Sequence, residues 1–461
     1  MTSVETHYDK WDKRRVKRQF SELVRLSIPI ILQRLGIMTL GIVDTAMVAR
    51  YSSIELAYQT ISYVPVATLI VTSIGLMMGT MVLTSSAYGA KDYKNCGRIW
   101  RRSLPYGLAL GTFGFVLCMI GEPVLLLLDQ TPDIARGGAD VMVALALGVP
   151  MTCIMLSSTF FLEGINRPLP GMVFMFIANI LNILLNWVLV YGHLGFEPMG
   201  AVGSAWATSI IRSFLAISLI IYILLVLDKE KYGLLEKVSL KWSLWRKHRH
   251  IGYAAGFTNA IEHMGFAALS VFAGWLGPIS LGALGIAFNV FGVPFMICYG
   301  VAGATAVRVG IARGRLDHHD MALAGICGIA FNAMICIPMM VILYFFPSEI
   351  ANLFSKDQVL VIATIPLIAL SVWMLFFDTA QTVMGNALRG AQDLWVPAIF
   401  YIISYSFVMI PIAYYLTFTL DHKVIGLIEC IIFASVLSFT LLSSRFFYLT
   451  MHKKEELGNE N

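Results

Sequence analysis

Long apolar runs separated by short clusters of charged and turn-forming residues dominate the chain. They fall near 26–48, 61–83, 104–120, 141–161, 172–190, 205–227, 251–276, 283–307, 321–346, 361–384, 399–416 and 424–447. Each has roughly the length, about 17–25 residues, that a helix needs to cross a hydrocarbon core. The pattern predicts an all-α integral membrane protein of twelve transmembrane helices, with both chain ends on the same side.

Composition narrows the class. Of 461 residues, 58% are apolar and 13% are charged, against about 25% charged in soluble domains. That excludes an ordinary cytosolic enzyme, a disordered chain and a disulfide-framed secreted domain. The basic residues give the orientation. Lys10, Lys13, Arg14, Arg15, Lys17, Arg18 and Arg25 precede or open the first span. Lys91, Lys94, Arg98, Arg101 and Arg102 follow the second, and Lys229, Lys231, Lys237, Lys241, Arg246, Lys247 and Arg249 fill the mid-chain loop. Opposite loops hold only Arg50, Arg136, Lys356 and Lys423. Both termini are therefore expected in the cytoplasm. Because these charges sit at span ends, the net charge of +5 points to no nucleic-acid partner. The segment Met1–Phe20 lacks an apolar core, so no signal peptide is expected. The seven cysteines form no CxxC pair and read as packing residues.

The longest hydrophilic interior stretch, Asp228 to His250, lies near the midpoint, with six spans on each side. An offset of 225 pairs Gly75 with Gly300, Thr80 with Thr305, Val82 with Val307, Ala87 with Ala312, Gly89 with Gly314 and Asp92 with Asp317. An offset of 226 pairs Leu162-x-Gly164 with Leu388-x-Gly390. An even number of spans per repeat gives two halves of the same direction, pseudo-symmetric six-helix bundles around a central cavity. The expected lobes are 1–235 and 236–461.

Carboxylates deep in a span are expensive and mark ion paths or substrate sites. Three stand out: Asp44 in the first span, Glu262 in the seventh and Asp378 in the tenth. The alternative is a carboxylate that only ties helices together, with Arg34 a potential partner for any of the three; Asp44 is also near the outer end of its span, in reach of headgroups. Asn182 and Asn186, at i,i+4 on the fifth span, share one helix face. They offer two amide oxygens, or ordinary interhelical hydrogen bonds. Thr208 adds a hydroxyl from the sixth span, which could instead bond back to its own helix. With Asp44 these oxygens suit a small hard cation such as Na⁺; a proton needs only one carboxylate. Glu163, Arg167 and Arg389 read as helix-end caps, Asp140 and Glu429 as solvated boundary residues, and His263 as pointing away from Glu262. Methionines and phenylalanines are expected mainly in packing or facing lipid, some lining an adaptable cavity.

These motifs together resemble the multidrug and toxic compound extrusion (MATE) family, in its NorM-type branch. The resemblance covers about Leu26 to Phe447. It rests on Val43-Asp44-Thr45-Ala46-Met47-Val48, Tyr88-Gly89-Ala90-Lys91-Asp92, Asn182-Ile183-Leu184-Leu185-Asn186-Trp187 and Gly200-Ala201-Val202-Gly203-Ser204-Ala205. It continues through Glu262 with Phe266, Asp378-x-x-Gln381 and Leu388-Arg389-Gly390-Ala391-Gln392-Asp393. It implies an N-lobe cation site on Asp44, Asn182, Asn186 and Thr208, and a C-lobe acidic pair, Glu262 and Asp378. Asp44, Asn182, Asn186, Glu262 and Asp378 are the expected Na⁺ ligands. Two positions depart from the family pattern: Ala254 stands where a Pro is usual, and Leu375 where a Gln is usual.

The expected function is secondary active multidrug efflux, exporting amphipathic and cationic compounds in exchange for Na⁺ or H⁺, with no cofactor. The expected location is a bacterial inner membrane, as a monomer, with drug-like molecules and membrane lipid as partners. The alternative is a flippase for lipid-linked oligosaccharides of the same superfamily. It would need an Arg-rich cavity to hold pyrophosphate, and away from their ends the spans contain only Arg34 and Arg212. No HExxH, GxSxG or GxxxxGK[ST] motif occurs, so neither an intramembrane enzyme nor an ATP-driven pump is expected.

Overall fold

The computed structural model describes residues 13–127, 130–239 and 241–451; Lys10 lies outside them. Among the described residues there is no strand. The helices are α1 (Lys13–Tyr51), α2 (Ser53–Gly89), α3 (Tyr93–Met119), α4 (Gly121–Leu127), α5 (Pro132–Ala146), α6 (Gly148–Gly164), α7 (Leu169–Tyr191) and α8 (Gly200–Val226). After the linker come α9 (Arg246–Trp275), α10 (Pro278–Gly314), α11 (His318–Phe345), α12 (Pro347–Phe354) and α13 (Gln358–Gly390). Two further long helices, Trp395–Thr419 and Lys423–Met451, complete the chain.

Nine of these helices are long and apolar enough to cross a membrane. Two more spans are bent pairs: α3 and α4 meet at 59°, and α5 and α6 at 40°. The second break falls at Leu147, inside the run 141–161 that the hydropathy pattern places in a single span. The twelfth is α9, which falls short of the apolarity of the others because it carries Asn259, Glu262 and His263 as well as a basic first turn. Asn259 and Glu262 face other helices in the bundle, where they find partners that lipid cannot supply.

The internal repeat is legible in the backbone. Lys91 (φ 61) ends α2 and Leu316 (φ 57) ends α10, 225 residues apart; Asn166 (φ 62) and Gln392 (φ 59) end α6 and α13, 226 apart. All four are non-glycine residues in the left-handed conformation that closes a helix C-terminus. The amide that follows each pair folds back in the same way. Asp92 N donates to Ala87 O at 2.9 Å and Asp317 N to Ala312 O at 3.0 Å; Arg167 N donates to Leu162 O at 2.8 Å and Asp393 N to Leu388 O at 3.0 Å. Asp92 and Asp317 then cap the helices that follow. On the linker, Glu236 binds Lys94 at 2.8 Å and Arg98 at 3.4 Å, and the Lys94 hydrogen bond holds its carboxyl below the usual range.

Two lobes, α1–α8 and the helices from α9 onward, meet along α1 against α10 and α2 against α9. Among the described residues, the longest runs of continuous burial lie toward the end of the molecule that carries residues 13 and 451: 300–312 of α10, 155–165 at the end of α6, 77–82 of α2, and 378–391 of α13 and the turn after it. Glycines make this approach possible. A Cβ at Gly75 would lie 2.5 Å from Cα of Gly256, and one at Gly89 2.1 Å from the carbonyl oxygen of Ile311. Thr80 and His248 add a buried hydrogen bond at 3.2 Å across the same seam. In the opposite half, Cβ atoms at Gly41, Gly274 and Gly285 would meet nothing within 4 Å. Among the described residues, every glycine whose Cβ would come within 3 Å of a residue of the other lobe lies in the half that carries residues 13 and 451, which is the closed end of the molecule.

Candidate functional site

The first group of polar residues lies in the N-terminal lobe. Asp44, 1% exposed, sits on α1 and faces α7, α8 and α2. Its Oδ1 accepts from Nδ2 of Asn182 at 2.7 Å and from Nδ2 of Asn186 at 2.8 Å. Its Oδ2 accepts from Oγ1 of Thr208 at 2.7 Å and from the hydroxyl of Tyr63 at 3.4 Å. The i,i+4 spacing on α7 presents both amides to one carboxylate. Thr208 spends its hydroxyl on Asp44, and Asp44 is too buried to reach headgroups.

The asparagines meet Asp44 through nitrogen, not through the oxygens the spacing suggested. Both Oδ1 atoms are buried without a hydrogen-bond partner. A half-turn of an amide exchanges its donor for its acceptor, so this face can offer N–H to a bare carboxylate or oxygen to a cation. Arg212, one turn beyond Thr208 on α8, acts on Asp44 electrostatically but is not among its hydrogen-bond donors.

The second group lies in the C-terminal lobe. Gln381 bridges the acidic pair, its Nε2 lying 3.4 Å from Oε1 of Glu262 and 3.2 Å from Oδ1 of Asp378. Tyr405 and Ser435 donate to the same oxygen of Asp378 at 2.9 and 3.1 Å, and Ser438 donates to Oε1 of Gln381 at 2.8 Å. Tyr405 belongs to a π-helical stretch, Ile402–Met409, a local widening often found at functional positions. Asp378 is buried and Glu262 half-buried. Arg389 donates to Oδ1 of Asn259 at 3.2 Å and acts electrostatically on Glu262.

The six sequence-predicted residues thus form two sets, Asp44 with Asn182, Asn186 and Thr208 around it, and Glu262 and Asp378 joined through Gln381. Tyr63, Tyr405, Ser435 and Ser438 were not singled out beforehand. Tyr405 comes from a helix rich in other aromatics and Tyr63 from one that also carries Tyr58 and Tyr88, and only their tertiary contacts distinguish them. Several expectations change. Arg34 pairs with none of the three acids; it binds Glu163 at 3.2 Å, and its guanidinium lies 5.9 Å from the ring centroid of Phe160 and 5.8 Å from that of Tyr299. Glu163 is accordingly a fully buried ion-pair partner instead of a cap, and Arg389 reaches across to α9. Helix α9 runs unbroken through Ala254, whose carbonyl accepts from Thr258 at 2.8 Å, and Leu375 is a core residue with no exposed surface. Asp140 is exposed and Glu429 pairs with His422 at 2.7 Å, as boundary residues should. Among the described residues no three His, Cys, Asp or Glu side chains converge as a metal site, so a cation here would be held mainly by neutral oxygens.

Comparison with known proteins extends this geometry. The MatE family model matches residues 29–188 and 254–415. A probable multidrug resistance protein NorM of Caulobacter vibrioides is 34% identical over 427 residues, covering 92% of this chain and 90% of that protein. The multidrug resistance protein PmpM of Pseudomonas aeruginosa is 28% identical, covering 88% and 85%. Among solved structures, the eukaryotic MATE transporter AtDTX14 superposes with a TM-score of 0.85 at 18% identity, covering 94% of this chain and 96% of that one. An outward-facing multidrug resistance MATE family transporter superposes at 0.86, with the same identity and coverage.

Proposed function

The chain belongs to the MatE family, and on that premise we propose that it is a multidrug efflux antiporter that exports amphipathic and cationic compounds in exchange for Na⁺ or H⁺. The observation that carries this reading is Asp44: a carboxylate 1% exposed, inside a span, whose four hydrogen-bond donors are all neutral. A carboxylate placed only to lock helices is better served by a bound arginine, as Glu163 is by Arg34. Neutral donors hold Asp44 in place while leaving its charge available to a passing cation.

With both termini in the cytoplasm of a bacterial inner membrane, the closed end faces inward and the opposite end outward. The lobes are read as 1–235 and 236–461, and the cleft they form is complete within one chain, which supports a monomer. In this state Asp44 takes a cation from outside, with Asn182, Asn186 and Thr208 as neutral ligands; Glu262 and Asp378 form a second exchange site in the other lobe. Cation entry favours drug release and the switch to the inward-open state, where the cation leaves and drug rebinds. One charge moving down 100 mV supplies about 2.3 kcal/mol, enough for roughly fiftyfold concentration. The oligosaccharide flippase reading gains nothing from the fold, since Arg34 is engaged with Glu163 and Arg212 lies by Asp44.

The test is ethidium efflux from membrane vesicles, first under an imposed Na⁺ gradient and then under a pH gradient. Efflux driven by one of them is expected. Equal efflux with neither gradient would require another energy source and overturn the reading.

A further inference from the structure

Along the first turns of α1, Arg15, Arg18, Gln19 and Glu22 recur at i, i+3, i+4 and i+7 and so share one face. All four meet the opposite lobe. Arg15 donates from Nε to Oδ1 of Asp320 at 2.5 Å and from Nη2 to Asp317; Arg18 donates from Nη2 to Oδ2 of Asp320 at 3.0 Å. One turn further along α1, Arg308 of α10 answers in the other direction: it donates to Oε1 of Gln19 at 2.5 Å and pairs with Glu22. The order of sign on α1, positive then negative, meets negative then positive on α10 and α11.

Asp320 is the centre of this arrangement. Its side chain is 1% exposed and also accepts from Arg315 at 2.9 Å. An ordinary explanation exists, because an acid in the first turn after the cap Asp317 favours the start of a helix. The internal repeat supplies the comparison. The residue 225 positions earlier is Asn95, behind the equivalent cap Asp92, and α3 begins there without a carboxylate. The acid at 320 is therefore not needed to start the helix, and both its oxygens bond to α1.

We propose that Asp320, gripped by Arg15 and Arg18 and reinforced by Arg308 on Glu22, is an ion-paired latch that sets how readily the inner end of the cleft opens. The proposal rests on the alternating-access reading above, which requires α1 to part from α10 and α11 in every cycle. Removing one partner from a buried ion pair leaves an uncompensated charge at the seam and is strongly unfavourable to the closed arrangement. Loss of the Asp320 charge should lower the closed-to-open ratio on the order of tenfold or more.

The experiment places spin labels at V16C on α1 and L316C beside α11, both exposed positions, in a chain whose native cysteines are all buried. In the unsubstituted chain a single short distance should predominate. Asp320→Asn, and independently Arg15→Gln from the other lobe, should each add a long-distance population. If Asp320 only starts α11, Asp320→Asn lowers the melting temperature with the distance unchanged and Arg15→Gln moves neither; that result overturns the latch. Should Asp320→Asn not fold, Arg15→Gln alone decides. Gradient-driven ethidium efflux by the double-labelled chain is recorded in parallel. Its failure would count against antiport, whereas a fixed distance in the variants with efflux intact counts against the latch alone.

Discussion

Asn186 on α7 donates its side-chain amide to Oδ1 of Asp44 on α1 at 2.8 Å, so a single carboxylate joins two helices of one lobe at a buried point. The same oxygen accepts from Asn182 at 2.7 Å. An ionised carboxylate only accepts hydrogen bonds, and these amides satisfy it without neutralising it. Replacing Asn186 by Ala removes one donor from a buried acceptor, a loss of about 1–3 kcal/mol. We expect a lower melting temperature in detergent and gradient-driven efflux reduced about tenfold, with Asn182→Ala giving the same pattern.

Gln381 makes the corresponding prediction for the other lobe. Its amide nitrogen lies between Glu262 and Asp378 while its oxygen accepts from Ser438. Gln381→Leu strands these groups and should weaken the lobe by about 1–3 kcal/mol. Gln381→Glu keeps the shape but sets a third acid beside two others, so efflux should fall further than with Leu. Equal activity of the two variants would show that the bridge does not govern the acidic pair.

Arg34 and Glu163 form a buried pair with one unsatisfied atom on each side, Nε and Oε2. Breaking such a pair from one side costs about 3–5 kcal/mol, whereas replacing both partners by apolar residues is often neutral. Arg34→Met should therefore destabilise strongly, and Arg34→Met with Glu163→Leu should recover most of the loss. A double-mutant cycle on thermal unfolding checks this through the sign of the coupling term.

The glycine seam between α2 and α9 leaves no room for a side chain, because a Cβ on Gly75 meets the backbone of Gly256 at 2.5 Å. Gly75→Leu should hold the inner end open. Thr80, buried in the same seam, gives a reporter. A T80C thiol should resist a water-soluble maleimide in the parent and react readily once Gly75→Leu is added.

Much of this fold is written in hydropathy alone, since twelve apolar runs map onto eleven straight or bent spans and α9. What hydropathy misses is local. The break at Leu147 is marked by Gly148 and by Pro150, which cannot donate back to Ala146, not by any change in hydropathy, and α9 is less apolar than its role implies because Glu262 and Asn259 find partners on other helices. The repeat was visible as scattered identities; the matching left-handed residues Lys91 and Leu316 show that it is a repeat of turns. At the sites, residue types that are costly in lipid, Asp44, Glu262, Asp378 and the paired asparagines, were legible. Their partners were not, because a tyrosine or serine in a span carries no mark until another helix brings an acid to it. Arg34 illustrates the limit: a lone in-span arginine announces an acidic partner, yet only packing selects Glu163 over the three other acids.

The central claim is that Asp44 holds a charge in order to exchange cations, and ethidium efflux by Asp44→Asn in vesicles tests it most directly. Asparagine keeps the size and can still bond to Thr208, so the folded protein should be retained. The account predicts that gradient-driven efflux disappears under both Na⁺ and pH gradients while the melting temperature stays measurable and cooperative. Export at the parental rate under the same gradients would contradict it.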